Sequence, residues 1–250
     1  MRNSAPDPTS APNSDTTSRA APPFTKHDWY TLTRLHRNLQ RAARRHLRHR
    51  NGQSVLDFGA GNSPYEPLFT RRGLRYVAGD IDDSAPVRIV PGEPLPLADH
   101  SMGVVASFQV LEHVWDLDWY LGECRRVLRE DGLLLLSTHG VWLYHPHPTD
   151  FRRWTRDGLE RELTSRGFEI VEVYPLVGPL AWTTQFRALG YHALLSRVPG
   201  IGQSLSGVVC ALLNARMLLE DALTPRALKA VNAAVYLMVA RPASPPQSPP

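Results

Sequence analysis

The stretch THGVWLYHPHPTDFRRWT, residues 138–155, gathers His139, His145, His147, Asp150, Arg152 and Arg153. A neutral imidazole accepts a proton near physiological pH, so His139, His145 and His147 are candidate catalytic bases for a substrate that must lose one. Arginine offers a planar fork of donors that fits a carboxylate or phosphate, which makes Arg152 and Arg153 candidates for an anionic acceptor, a solvated flank being the plainer reading. Asp150 suits a hydrogen-bond acceptor within the loop. Metal binding is the competing use of imidazoles and an acid, but HPHPTD lacks a tetrahedral ligand spacing and its prolines restrain it, so no metal is expected. Trp142 and Trp154 read as core residues or as an apolar wall.

A second stretch, VLDFGAGNSPY at residues 55–65, runs an apolar strand into glycines. Gly59 and Gly61 carry no β carbon, so the chain can turn tightly there and a ligand can approach the backbone. Asp57, at the strand end, either holds the turn or meets a cationic part of that ligand. A dinucleotide fingerprint would need a third glycine where Pro64 stands, which weakens a pyrophosphate ligand. Asp80 follows the apolar YVAG and is placed to accept hydrogen bonds from both hydroxyls of a ribose. Asp82 reads as an ordinary strand-to-turn acid.

These residues need elements to position them. SVLDF, RYVAGDID, VRIV, MGVVASF and GLLLLST read as strands, joined by helical spacing in YEPLFTRRG and in DLDWYLGECRRVLRED, where DG supplies a stop. DGLERELTSRGF then reads as a helix, and EIVEVYPL and AVYLMVARP as the last strands. Alternation of this kind predicts an α/β, Rossmann-like fold with a mostly parallel sheet, helices on both faces and a ligand at the carboxyl ends of the strands.

At 250 residues and 42% apolar, the chain has room for one main core. A formal charge of +4 does not call for nucleic acid. Cys124 and Cys210 are too far apart for a zinc or disulfide framework, and neither a secretory signal nor an apolar run of membrane-spanning length is present, so a cytoplasmic location is expected. Residues 1–22 and 242–250, rich in proline and small polar residues, are expected to be disordered tails around one domain at 23–241. Within it, residues 26–50 carry eight Lys and Arg against one acid. They read as a cap helix with a solvated basic face, a contact for anionic lipid or a phosphorylated substrate being the alternative. Residues 174–219 are apolar pieces broken by glycine and proline. They read as packed lid helices or as a face for an apolar or lipid-linked substrate, which leaves peripheral membrane contact open.

Together, VLDFGAGNSPY, YVAGDID, LPLADHSMGVVASFQVLEHVWD and LREDGLLLLST resemble the class I S-adenosylmethionine-dependent methyltransferases, of the type 11-like kind, over about residues 53–174. The resemblance implies S-adenosyl-L-methionine as cofactor, with Asp57, Gly59 and Gly61 lining the methionine portion and Asn62 nearby. Asp80 would hold the ribose, Ile81 would lie beside the adenine, and Gln109, Val110 and Leu111 would form the wall after the fourth strand. Glu112 and His113 would orient the loop. Two positions depart from the pattern: Pro91 and Gly92 stand where an acid often meets the adenine amino group, and Gly103 stands where an Asp is common. HPHPTDFRRWT also resembles bacterial enzymes of surface-polysaccharide or secondary-metabolite pathways. Methyl transfer to a small molecule, sugar or lipid-linked glycan is therefore expected, with a noncatalytic nucleotide-binding or assembly protein of the same fold as the alternative. Because family members pair their last two strands as a hairpin, residues 174–235 are read as a substrate-covering insertion.

Overall fold

Alternating apolar residues decide which side of the sheet each layer covers. In the computed structural model, which describes residues 19–146 and 149–244, Val55, Val104 and Leu135 face one core, shared with Leu35 and Leu39. Their neighbours Leu56, Val105, Leu134 and Leu136 face a second core with Leu121 and Leu159. Strands buried on both faces need continuous apolar runs, which is how these segments read. Most of the expected tails, residues 1–18 and 245–250, and His147 lie outside the described residues.

Among the described residues the first long helix is α1 (Trp29–His46), whose buried residues Tyr30, Thr31, Leu35, Leu39, Ala42 and Ala43 follow helical spacing. Arg44, Arg45 and His46 in its last turn complement the negative end of the helix dipole. Then come β1 (Ser54–Phe58), α2 (Glu66–Thr70), β2 (Arg75–Asp80), β3 (Val87–Arg88) and β4 (Met102–Phe108). A short 3-10 turn at Leu111–His113 leads to α3 (Leu117–Val127), which Asp116 caps by accepting a hydrogen bond from the Trp119 amide at 3.0 Å. β5 (Leu128–His139), α4 (Arg156–Thr164) and β6 (Phe168–Leu176) follow. Between β6 and β7 (Val235–Pro242) lie α5 (Pro179–Leu195), α6 (Gly202–Leu223) and α7 (Arg226–Val231).

The sheet order is β3-β2-β1-β4-β5-β7-β6, with β7 antiparallel to both neighbours and the rest parallel. The expected α/β fold is present, and the strand order reverses between β1 and β4, whose carboxyl ends therefore open a crevice. One boundary differs from the sequence reading. LRED was assigned to the helix and DG to its stop, yet β5 starts at Leu128, directly after α3. The backbone turns extended at Leu128 (φ −71°, ψ 136°), and a register irregularity between Met102 and Val104 absorbs the charged segment before the apolar run resumes.

α5 and α6 pack against each other and hold α1. Asp221 is the main tie: it accepts hydrogen bonds from Tyr30 Oη at 3.0 Å, Arg34 Nη2 at 2.8 Å and the Gly178 amide at 2.7 Å, with Lys229 Nζ 2.7 Å away. Thr31 donates to Gln185 Oε1, and Asn214 Nδ2 donates to the carbonyls of Phe24 and Lys26. The outer face of α6 leaves Val208, Leu212 and Leu219 exposed, as is Ile201 just before it. Among the described residues, no helix is long and apolar enough to cross a membrane.

Candidate active site

Backbone conformation explains the glycine turn. Gly59 has φ +86° and Gly61 φ +51°, in the left-handed region that a β carbon disfavours. A β carbon on Gly59 would also lie 2.6 Å from Val110 Cγ2, whereas one on Gly61 would meet nothing within 4 Å. The first glycine therefore lets the turn pack under Val110, and the second borders open space. The Gly61 amide donates to Asp80 Oδ2 at 2.6 Å, and the Ile81 amide donates to Oδ1 at 2.8 Å. Asp80 thus ties the turn after β1 to the end of β2.

Asp57 lies beneath this turn, 2% exposed, and accepts a hydrogen bond from Tyr76 Oη. Burial pushes its carboxyl up to about 7; the Tyr76 bond opposes the shift, the Asp80 charge adds to it and Arg19 opposes it. A cation placed nearby would offset the cost of the charged form.

The turn opens on a cavity of about 1120 Å³. Asp57, Gly59, Gly61, Asn62, Asp80, Ile81, Gln109 and Val110, the residues the resemblance assigns to the cofactor, all line it. Leu111 does not: it is fully buried in the core beneath the second sheet face, because the 3-10 turn carries its side chain inward. Gln109 reaches the rim with φ +59°, a conformation uncommon for a residue with a β carbon, and its amide donates to the Ser137 carbonyl at 2.9 Å. Of the two departures from the family pattern, Pro91 and Gly92 border the cavity. Gly103 lies elsewhere, at the start of β4, where a β carbon would come within 2.1 Å of Gln53 Oε1.

At its other end the cavity meets imidazoles. His139, at the end of β5, and His145 both line it, as does His113. His139 is 4% exposed and stacks on Trp142, with ring centroids 4.8 Å apart. Burial first, then the nearby His145 and Arg153, lowers its pKa well below the usual histidine value. Burial also lowers that of His145. Both rings are therefore neutral at physiological pH. His139 Nε2 lies 3.3 Å from Oε1 of Glu112, a fully buried carboxyl whose pKa burial raises and whose Oε2 accepts from Thr138 Oγ1 at 2.8 Å.

The arginines of the loop are spent on structure. Arg152 donates to the carbonyls of Val114 and Trp115 and lies over the Trp115 ring at 5.3 Å. Arg153 grips Asp150 through both terminal nitrogens and also bonds the Trp142 and Leu143 carbonyls. Neither lines the cavity, so the anionic-acceptor reading of this pair is replaced by one in which they fix the loop. Trp154 is a core residue.

The cavity's cover comes from the segment read as a cap helix, not from the insertion read as covering the substrate. Asp28, Thr31, Leu32 and Leu35 on and before α1, together with Arg19 and Lys26, line the cavity, whereas no residue of 174–235 does. The helical insertion instead stands behind α1 and braces it through Asp221, Gln185 and Asn214. Thr31 was the available signal, a polar residue inside the apolar stripe of that helix.

Comparison with known proteins shows the family. A sequence model of one family, described as a methyltransferase domain, matches residues 27–173. A probable S-adenosylmethionine-dependent methyltransferase of Mycolicibacterium smegmatis is 32% identical over 136 residues, 48% of this chain and 53% of that one. An uncharacterized methyltransferase of Mycolicibacterium gilvum is 32% identical over 188 residues, covering 61% and 72%. This chain spans about half the length of the M. smegmatis relative and of two Mycobacterium tuberculosis relatives. Among solved structures, the [4+2]-cyclase SpnF shares the fold at TM-score 0.58 and 18% identity, covering 87% of this chain and 83% of its own. Haemonchus contortus phosphoethanolamine N-methyltransferase 2, in complex with S-adenosyl-L-methionine, does so at 0.52 and 15%, covering 96% and 62%. Since the family match runs from the start of the α1 cover through the glycine turn to β6, this chain belongs to the methyltransferase-domain family.

Proposed function

We propose that this chain transfers the methyl group of S-adenosylmethionine to a hydroxyl of a small molecule, a class that includes sugars and lipid-linked glycans. One observation carries the reading: a single cavity runs from the bare glycine turn and Asp80 to the neutral imidazoles of His139 and His145. The residues fit the cofactor, because the space over Gly61 is open, Asp80 presents a carboxylate to ribose hydroxyls and Asp57 offers an acid that a cation would ionise. Bound there, the cofactor supplies an electrophilic methyl on a positive sulfur.

The protein's part is to hold, enclose and take up a proton. Asp57, Gly59, Gly61 and Asp80 hold the donor. Ile81 and Val110 flank it with apolar surface, and α1 keeps water from the cavity. His139, neutral and lining the cavity, is placed to accept the acceptor's proton. The exposed apolar stripe of α6 supports a lipid-linked member of the acceptor class, since it offers an apolar face outside the cavity. Incubation with methyl-labelled S-adenosylmethionine and a panel of phenols, sugars and prenyl-linked sugars tests the reading. Label transfer with S-adenosylhomocysteine release is expected. Cofactor binding without transfer to any hydroxylated acceptor would oppose it.

A pH effect follows from Asp57. Between the ordinary carboxylate value and about 7, the folded protein holds a proton that the unfolded chain releases, so this group's contribution to stability falls as pH rises through that interval. A cationic ligand favours the carboxylate, so binding expels the proton and affinity rises with pH up to about 7. Calorimetric titration at pH 6 in buffers of different ionisation enthalpy should show close to one proton released per cofactor bound, and none with Asp57→Asn. Equal proton release by both proteins would contradict the assignment.

A further inference from the structure

Glu112 presents a chemical problem that its neighbours do not solve. Its side chain is fully buried and Oε2 is satisfied by Thr138, yet Oε1, although 3.3 Å from His139 Nε2, makes no well-aligned hydrogen bond among the described residues. A buried carboxylate oxygen left in this state is costly, and natural structures rarely keep one without a function. Besides His139, two imidazoles from different loops stand around it. His113 Nδ1 lies 2.6 Å from the Thr149 carbonyl, which can only accept, so the proton is on Nδ1 and Nε2 carries the free lone pair. His145 is held by its own amide, which donates to Asp150 Oδ2 at 2.9 Å, and its buried Nε2 has no hydrogen-bond partner among the described residues. One ligand atom from each of Glu112, His113 and His145 lies within 4.8 Å of the others.

We propose that Glu112, His113 and His145 form a binding site for a divalent transition-metal ion such as zinc, cobalt or manganese. A carboxylate and two imidazoles are the donor set of many open catalytic metal sites, in which further positions take water or substrate. Ligands about 2.1 Å from a tetrahedral ion lie about 3.4 Å apart, so closure from within 4.8 Å draws the three atoms together by about 1.4 Å at most. The supports for such a site are present as well. The Thr149 carbonyl orients His113, Thr138 orients Glu112, and the Arg153–Asp150 pair fixes the loop that carries His145. Chain spacing hid the site, because HPHPTD supplies only one of the three ligands and the turn after β4 supplies the others.

His113 and His145 both border the cavity, so the ion's open positions face it. Here the inference rests on the methyl-transfer reading. An acceptor hydroxyl bound to the ion loses its proton more readily, and that proton passes to His139. The oxygen then forms its bond to the methyl carbon as the carbon–sulfur bond breaks and its electron pair stays on sulfur.

The test is titration of the chelator-treated full chain with cobalt(II), read by visible absorption, with zinc competition. The result expected is one equivalent bound with the bands of a low-coordinate nitrogen and oxygen site. His145→Ala and His113→Ala should each weaken binding by at least about 10-fold to 100-fold, the loss seen even for residues behind the ligands. Both rings are partly exposed, so these variants spare the core, and circular dichroism with the melting temperature on the same samples confirms that they are folded. Absence of the bands, or cobalt affinity unchanged by both substitutions, would overturn the site and leave a shared proton between Glu112 and His139 as the answer to the orphan oxygen. Cobalt binding without cofactor binding would overturn methyl transfer and leave the metal site standing.

Discussion

Asp80→Ala is expected to weaken S-adenosylmethionine binding by about 100-fold. Two hydrogen bonds from ribose hydroxyls to a charged carboxylate are together worth about 3 kcal/mol, and every 1.4 kcal/mol is tenfold in affinity. The same carboxylate accepts the Gly61 and Ile81 amides, so its removal also loosens the turn that must stay bare for the ligand. Asp80→Asn separates the two effects: it keeps an acceptor for the Gly61 amide but loses the charge, and should weaken binding less while holding the melting temperature nearer the wild type. Wild-type affinity in a folded Asp80→Ala protein would remove Asp80 from the ribose role.

Asp221→Ala is expected to lower stability by about 3–5 kcal/mol, the cost of removing one partner from a buried charge cluster. Four groups converge on this fully buried side chain, and two of them, Tyr30 and Arg34, belong to α1. Burial pushes the carboxyl up, but the bonds from Lys229 and the Gly178 amide, with the charges of Lys229 and Arg34, bring it below its usual value. Its contribution is therefore complete above the ordinary carboxylate value and is lost as pH falls through the lowered one. Urea denaturation measures the loss, and hydrogen exchange should show faster opening of α1 than of β4. A change below about 1 kcal/mol would mean that the insertion does not brace the helix.

Both predictions concern residues whose legibility differed. Asp80 could be read from the chain because an acid at the end of an apolar strand has few other uses, and Gly59 and Gly61 because glycine frees a backbone that other residues would strain. MGVVASF was legible for a related reason, since a central parallel strand must be apolar on both sides. Asp221 gave no such sign. Tyr30 and Arg34 in α1 and the Gly178 amide before α5 stand far away in sequence, Lys229 comes from the next helix, α7, and only the fold brings them together. Arg152 and Arg153 misled for the same reason: their types suit an anion, but the carbonyls of Val114, Trp115 and Leu143 reach them first. Leu111 follows two residues that line the cavity, and a single 3-10 turn sends it into the core.

The most direct measurement is calorimetric titration of the full chain with S-adenosylmethionine, with NAD as the control. Saturable binding of one S-adenosylmethionine per chain, with none of NAD, is the result predicted by a turn whose third glycine position is Pro64 and whose acid is Asp80. A folded protein that binds neither ligand, or binds NAD as well as S-adenosylmethionine, would contradict it.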